Sequence, residues 1–260
     1  MAPPPARVVF VEDDASIQHF VAMALEDLPL TLQACSTLAE ARQALAPGAA
    51  PCALLLTDLM LPDGSGIELL EEIQAGPAGA RPGRIAVFSA GVTGEVRGRL
   101  AALRIDAVLP KPVALAELEA CVRAAIESSA GVGEAATAAA GFASSESAAI
   151  DEFFAGDATL FRSYRDSCRQ QFDADLRAGE AAVEAGDLQA LRRLAHSLKT
   201  VLRMLGHPEL STRAAALEDM TAAGRPEAAT YWPALREGLR ALNSDSATPG
   251  PDTPDPSKGP

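Results

Sequence analysis

Aromatic residues make up only 4% of these 260 residues: eight Phe, two Tyr and one Trp. So small a set excludes an interior built mainly on rings and leaves layers of Leu, Ala and Val between helices. Cysteine is sparse as well. Cys35, Cys52, Cys121 and Cys168 are scattered, no pair at metal-ligand spacing, so they read as reduced thiols with a packing role. Positive charge is in the minority, 22 Lys and Arg against 35 Asp and Glu. The resulting net charge of −13 argues against broad affinity for nucleic acid or an anionic membrane. No apolar run is long enough to span a bilayer. Met1-Ala2-Pro3-Pro4-Pro5 lacks the charged-then-apolar pattern of a signal peptide. A soluble, cytoplasmic protein is expected. No internal repeat is visible, and there is ample chain for one or two domains with real cores.

What is present centres on Leu54 to Gly66. An apolar run, Leu54-Leu55-Leu56, ends in Thr57-Asp58 and passes through Pro62 into Gly64-Ser65-Gly66. Such a run reads as a central parallel strand buried on both faces. Asp58 then stands at the strand's carboxyl end, the edge where chemistry collects in open α/β sheets. The alternative is a loop aspartate acting as a turn or cap residue.

The surrounding pattern is regular. Strands are predicted at 7–11, 30–34, 53–57, 85–89 and 107–109, and helices at 15–27, 38–45, 67–73, 95–103 and 114–127. Gly94 and Gly98 weaken the fourth helix. Strand–helix alternation predicts a parallel five-stranded sheet with helices on both faces. Residues 129–147 are rich in Ala, Gly, Ser and Thr and read as a flexible linker reaching roughly 20–25 Å. Beyond it no strand signal occurs. Helices are predicted at 158–185, 188–205, 209–223 and 226–242; their short connections imply an antiparallel bundle. The tail, 244–260, has a disordered composition. The fold class is thus α/β, then all-α.

Four features fall at the carboxyl ends of the predicted strands: Glu12-Asp13, Asp58, Ser89 and Lys111. In a parallel sheet these ends converge. Clustered carboxylates repel unless a cation sits among them, and Mg²⁺ suits a few carboxylates plus waters. Lys111 offers a point charge to a phosphoryl oxygen and Ser89 a hydroxyl donor. The set fits a carboxylate nucleophile that accepts a phosphoryl group.

Glu12-Asp13, the run Asp58-x-Met60-x-Pro62-x-x-x-Gly66, Ser89-Ala90 and Lys111-Pro112 together resemble a response-regulator receiver domain, over residues 1–128. The resemblance implies a flavodoxin-like (βα)5 sheet with Asp58 as phospho-acceptor. It implies Mg²⁺ on Asp13, Asp58 and the Met60 carbonyl, with Glu12 helping through water, and Ser89 and Lys111 on the phosphoryl oxygens. It also implies a cis peptide before Pro112. Asp14, one residue late for the metal, reads as a helix cap. Val108 stands where many relatives carry an aromatic residue, which puts the usual aromatic switch in question.

Three histidines remain. His19 is expected on a solvent face and His207 in a Gly-His-Pro turn. His196 lies on a helix whose apolar stripe is Leu191, Leu194, Leu198, Leu202 and Leu205. It projects roughly opposite that stripe, in company with Arg192, Arg193, Lys199, Thr200 and Arg203, and so is expected in water on a positive ridge. A solvated charged face with an incidental histidine is the plainer alternative. Leu194-Ala195-His196-Ser197-Leu198-Lys199-Thr200, with Leu205-Gly206, Gly186-Asp187 and Leu217-Glu218, is similar to the histidine-phosphotransfer (HPt) signature over residues 148–243. That resemblance implies a phosphate-carrying His196 steadied by Lys199. Thr200 replaces the usual glycine and is expected to crowd an approaching receiver.

A phosphorelay protein follows, a carrier rather than an enzyme, whose receiver can take its phosphoryl group from a phospho-histidine donor. Its partners would be a sensor histidine kinase and other receiver or HPt proteins. A non-catalytic docking or scaffold module regulating a kinase is the alternative. A phosphatase of the aspartyl-phosphate type is disfavoured because Met60 stands where its second aspartate belongs.

Overall fold

The computed structural model describes residues 5–76, 81–89, 94–127 and 145–244. The first module alternates strands and helices: β1 (Ala6–Val11), α1 (Ala15–Ala24), β2 (Leu30–Cys35), α2 (Leu38–Ala44), β3 (Leu54–Asp58), then a small hairpin of β4 (Met60–Leu61) and β5 (Gly64–Ser65). It continues with α3 (Gly66–Ala75), β6 (Arg84–Ser89), α4 (Gly94–Ala101), β7 (Ala107–Pro110) and α5 (Leu115–Glu127). The five long strands pair in parallel in the order β2-β1-β3-β6-β7. The flavodoxin-like expectation holds. The β4–β5 hairpin, antiparallel with Met60 opposite Ser65, is an addition to it.

Strand alternation divides the interior. Val8, Phe10, Leu54, Leu56, Ala86 and Phe88 point to the face covered by α1 and α5. Val9, Val11, Leu55 and Val87 point to the face covered by α2 and α3. Every residue of β3 is buried, as its unbroken apolar run requires.

The second module is helical throughout its described residues: α6 (Glu146–Phe153), α7 (Ala158–Ala185), α8 (Leu188–Met204), α9 (Pro208–Ala222), a 3₁₀ turn (Pro226–Tyr231) and α10 (Trp232–Ser244). Asp157 and Asp187 cap α7 and α8 by accepting backbone N–H bonds. Along α7 the buried residues Phe161, Tyr164, Cys168, Phe172, Asp175, Gly179 and Ala182 recur every three or four positions, one face of a helix.

Two sequence expectations need correction. Residues 129–144 of the expected linker lie outside the described residues, but 145–147 are not linker: Ser145 caps α6, and Ala149 and Phe153 are buried. The last helix does not run unbroken from Pro226, because a 3₁₀ turn precedes α10. Of the expected tail, only Ser244 is described, and it ends α10. No described helix is long and apolar enough to cross a membrane. All four cysteines are free.

The modules pack together through α1 and α7. Phe20 of α1 meets Phe154 and Tyr164 edge-on, with ring centroids 5.4 and 5.7 Å apart. The apolar cluster on the α1 side of the sheet therefore continues into the helical module.

Candidate functional site

β1, β3, β6 and β7 end at one rim of the sheet and bring the expected residues together there. Lys111, just beyond β7, puts Nζ 2.5 Å from Glu12 Oε2 and 2.8 Å from Asp58 Oδ2. Nζ also lies 4.9 Å from the Phe88 ring centroid. All three ionic side chains are almost wholly buried. Burial opposes the charged amine, yet Asp58 and Glu12 outweigh it and raise the Lys111 pKa. Removing one partner from such a buried pair typically costs about 3–5 kcal/mol, because it strands the other charge. The Lys111-Pro112 peptide is cis.

The carboxylates remain crowded. One oxygen from each of Glu12, Asp13 and Asp58 lies within 4.8 Å of the others. Burial, with the charge of Asp58 adding, pushes Glu12 up to about 8 although Lys111 opposes it; the same two causes push Asp13 up to about 6. Three hard oxygen donors short of positive charge suit a divalent cation such as Mg²⁺. Asp14 takes no part: its carboxylate accepts the Ser16 and Ile17 N–H groups and caps α1, as the sequence suggested. Gly66 shapes the loop around Asp58. A β-carbon there would lie 2.0 Å from the Asp58 carbonyl oxygen, so only glycine lets α3 begin this close.

His196 is placed differently from expectation. It does not stand in water: it is only 7% exposed. α8 lays it against the rim of the sheet, with Nε2 4.0 Å from Asp58 Oδ2. Its Nδ1 lies 2.7 Å from Glu218 Oε1 on α9. A carboxylate only accepts, so Nδ1 carries a proton, and in the neutral ring Nε2 is the nitrogen that offers a lone pair. That Nε2 is buried and has no hydrogen-bond partner among the described residues.

Lys199 also differs. Its Nζ is 2.5 Å from Glu218 Oε2, so Glu218 joins the imidazole and the ammonium. Burial works against this carboxylate's charge, but the hydrogen bond from His196 and the Lys199 charge prevail and hold its pKa down at about 2. Sequence reading counted Glu218 only as part of a signature; the pairing of α8 with α9 gives it a partner. Of the expected positive ridge, Arg203 is drawn away to Glu152, 3.7 Å distant. Thr200 is 1% exposed and does not hold the sheet module off. The apolar stripe holds at Leu191, Leu198, Leu202 and Leu205, with Leu194 half-buried. His19 is exposed, and His207 precedes α9 as its N-cap residue.

Between the modules runs a cleft of about 890 Å³. Asp58, Met60 and Ser89 line it from the sheet side, and Arg192, Arg193, His196, Lys199 and Glu218 from the helical side. Val108, 42% exposed, lies outside it on β7.

The response regulator receiver domain family matches residues 8–123. The Hpt domain family matches residues 163–245. No protein of curated function matches the chain. Among solved structures, the response regulator receiver protein from Pseudomonas putida is 25% identical, covers 47% of this chain and 98% of its own, and has a TM-score of 0.43. The non-phosphorylated HemR receiver domain from Leptospira biflexa is 27% identical over 46% of this chain and 94% of its own, at a TM-score of 0.41. A CheY-like receiver domain protein from Methanospirillum hungatei is 22% identical over 48% and 95%, at 0.43. The chain thus carries, in order, a response regulator receiver domain and an Hpt domain, the modules from which two-component phosphorelays are built.

Proposed function

We propose that Asp58 accepts a phosphoryl group and exchanges it with His196 of the same chain. The 4.0 Å approach of Nε2 to Oδ2 carries this reading. With the ring neutral, Nε2 and the Asp58 carboxylate are two electron-pair donors facing each other in a buried site, an arrangement suited to an electrophile between them. A phosphorus atom passing in line from oxygen to nitrogen is such an electrophile. As it passes, the Oδ–phosphorus bond breaks and the Nε2–phosphorus bond forms. The carboxylate recovers its charge, and Nδ1 keeps its proton against Glu218.

Lys111 and Ser89 would hold the peripheral oxygens, and Lys199 would keep Glu218 charged and in place. Asp13, Asp58 and the Met60 carbonyl would hold Mg²⁺, with Glu12 acting through water; the ion supplies charge neutralisation at the acceptor when bound. A sensor histidine kinase would load the relay, and other receiver or HPt proteins would exchange phosphate with it. One observation favours the second reading, a docking module: Asp58 is 1% exposed, so the closed pair can also serve to shield it.

The test uses the full chain, Mg²⁺ and a labelled small acyl phosphate. Base-stable label is expected on His196 in the wild type and not in Asp58→Asn. Equal labelling of the two would sink the Asp58 route, and absence of histidine label from both would favour the docking reading.

A further inference from the structure

The helix that carries His196 presents a second group to the same cleft. Arg192 precedes His196 by four residues, one turn, so both side chains leave α8 on one side. Both line the cleft, with Asp58, Met60 and Ser89 across it. The Arg192 Nε is buried and has no hydrogen-bond partner among the described residues.

Three other cations near the site are already engaged. Lys111 is held by Glu12 and Asp58, Lys199 by Glu218, and Arg203 lies beside Glu152. Arg192 has no ion-pair partner among the described residues, in a chain with 13 excess negative charges. A guanidinium that leaves an N–H unsatisfied beside a nucleophile is explained most simply by an anion that visits the cleft.

We propose that Arg192 is a catalytic residue: its guanidinium binds peripheral oxygens of the phosphoryl group as that group passes between Asp58 and His196. This rests on the exchange proposed above. In a loose transition state the charge spreads over three peripheral oxygens. Lys111 reaches that charge from the sheet side, and Arg192 would close the ring from the helical side. Arginine suits the task because it stays charged and offers a planar fork that lysine lacks.

The test is the rate at which label moves from Asp58 to His196 in the full chain, after loading with a labelled acyl phosphate. Loading of Asp58 and the hydrodynamic radius are read on the same samples. Arg192→Gln is expected to slow the movement by roughly 10²-fold at unchanged radius, and Arg192→Lys to restore part of it. A wild-type rate in Arg192→Gln overturns the proposal. So does a slow rate accompanied by an enlarged radius in both variants, since that assigns Arg192 to docking. If the wild type itself passes no label to His196, the underlying exchange reading fails, a result separate from either.

Discussion

Glu218 holds a proton-bearing imidazole with one oxygen and an ammonium with the other. Its pKa is depressed from the ordinary 4.5 to about 2, so the stabilisation it contributes is complete above about pH 4.5 and drains away as pH falls through about 2. Glu218→Gln is expected to flatten that acid limb, as read from denaturant midpoints at a series of pH values. It should also slow phosphoryl movement, because the imidazole loses the partner that fixes its tautomer; an unchanged acid limb would show the carboxylate to be a bystander. A second prediction concerns the acid cluster. Mg²⁺ should raise the thermal midpoint of the receiver module, by about 2.7 kcal/mol of stabilisation at a hundredfold excess over Kd, and Asp13→Asn should remove most of that rise. The acids and Lys111 were legible because each sits at a strand's end, where local pattern fixes its place. The role of Glu218 was not: it lies 22 residues from His196, and only the packing of α9 on α8 unites them.

Among elements, the fit of α10 on α7 depends on one missing side chain. A β-carbon at Gly179 would come within 2.1 Å of the Trp232 ring, which is buried. Gly179→Ala is therefore expected to destabilise the helical module by about 1–3 kcal/mol, the usual range for overpacking. Because Trp232 is the only tryptophan, its fluorescence reports the change directly; an unshifted spectrum and midpoint would mean that α10 slides without cost. Most elements followed from apolar periodicity. α6 did not, since its Ser- and Ala-rich start looks like linker until Ala149 and Phe153 find the bundle to bury against. The 3₁₀ turn at Pro226–Tyr231 hid for a similar reason: its sequence has a helical composition, and nothing local marks where the tighter winding stops.

On the scale of the whole molecule, Phe20, Phe154, Phe161 and Tyr164 form one aromatic knot, and α1 and α7 meet across it. Helical periodicity does not foretell this contact of Phe20, because a buried face reads the same whichever module buries it. Tyr164→Ala should loosen the knot, enlarge the radius of gyration in small-angle scattering and slow exchange between Asp58 and His196. The cost lies near the large-aromatic range of about 3–5 kcal/mol. Exchange within one chain should also be independent of protein concentration. A mixture of Asp58→Asn and His196→Gln chains should then pass label far more slowly than the wild type, and equal rates would mean exchange between chains.

The closed pairing of the modules has a consequence for timing. Asp58 and His196 lie buried against each other between the modules, so on the proposed exchange a visiting kinase or acceptor would find the door shut until the halves part. The frequency of parting would then set a ceiling on traffic with the outside. Anything that pries α1 from α7 would then act as an accelerator for every visitor and a brake on the proposed exchange within.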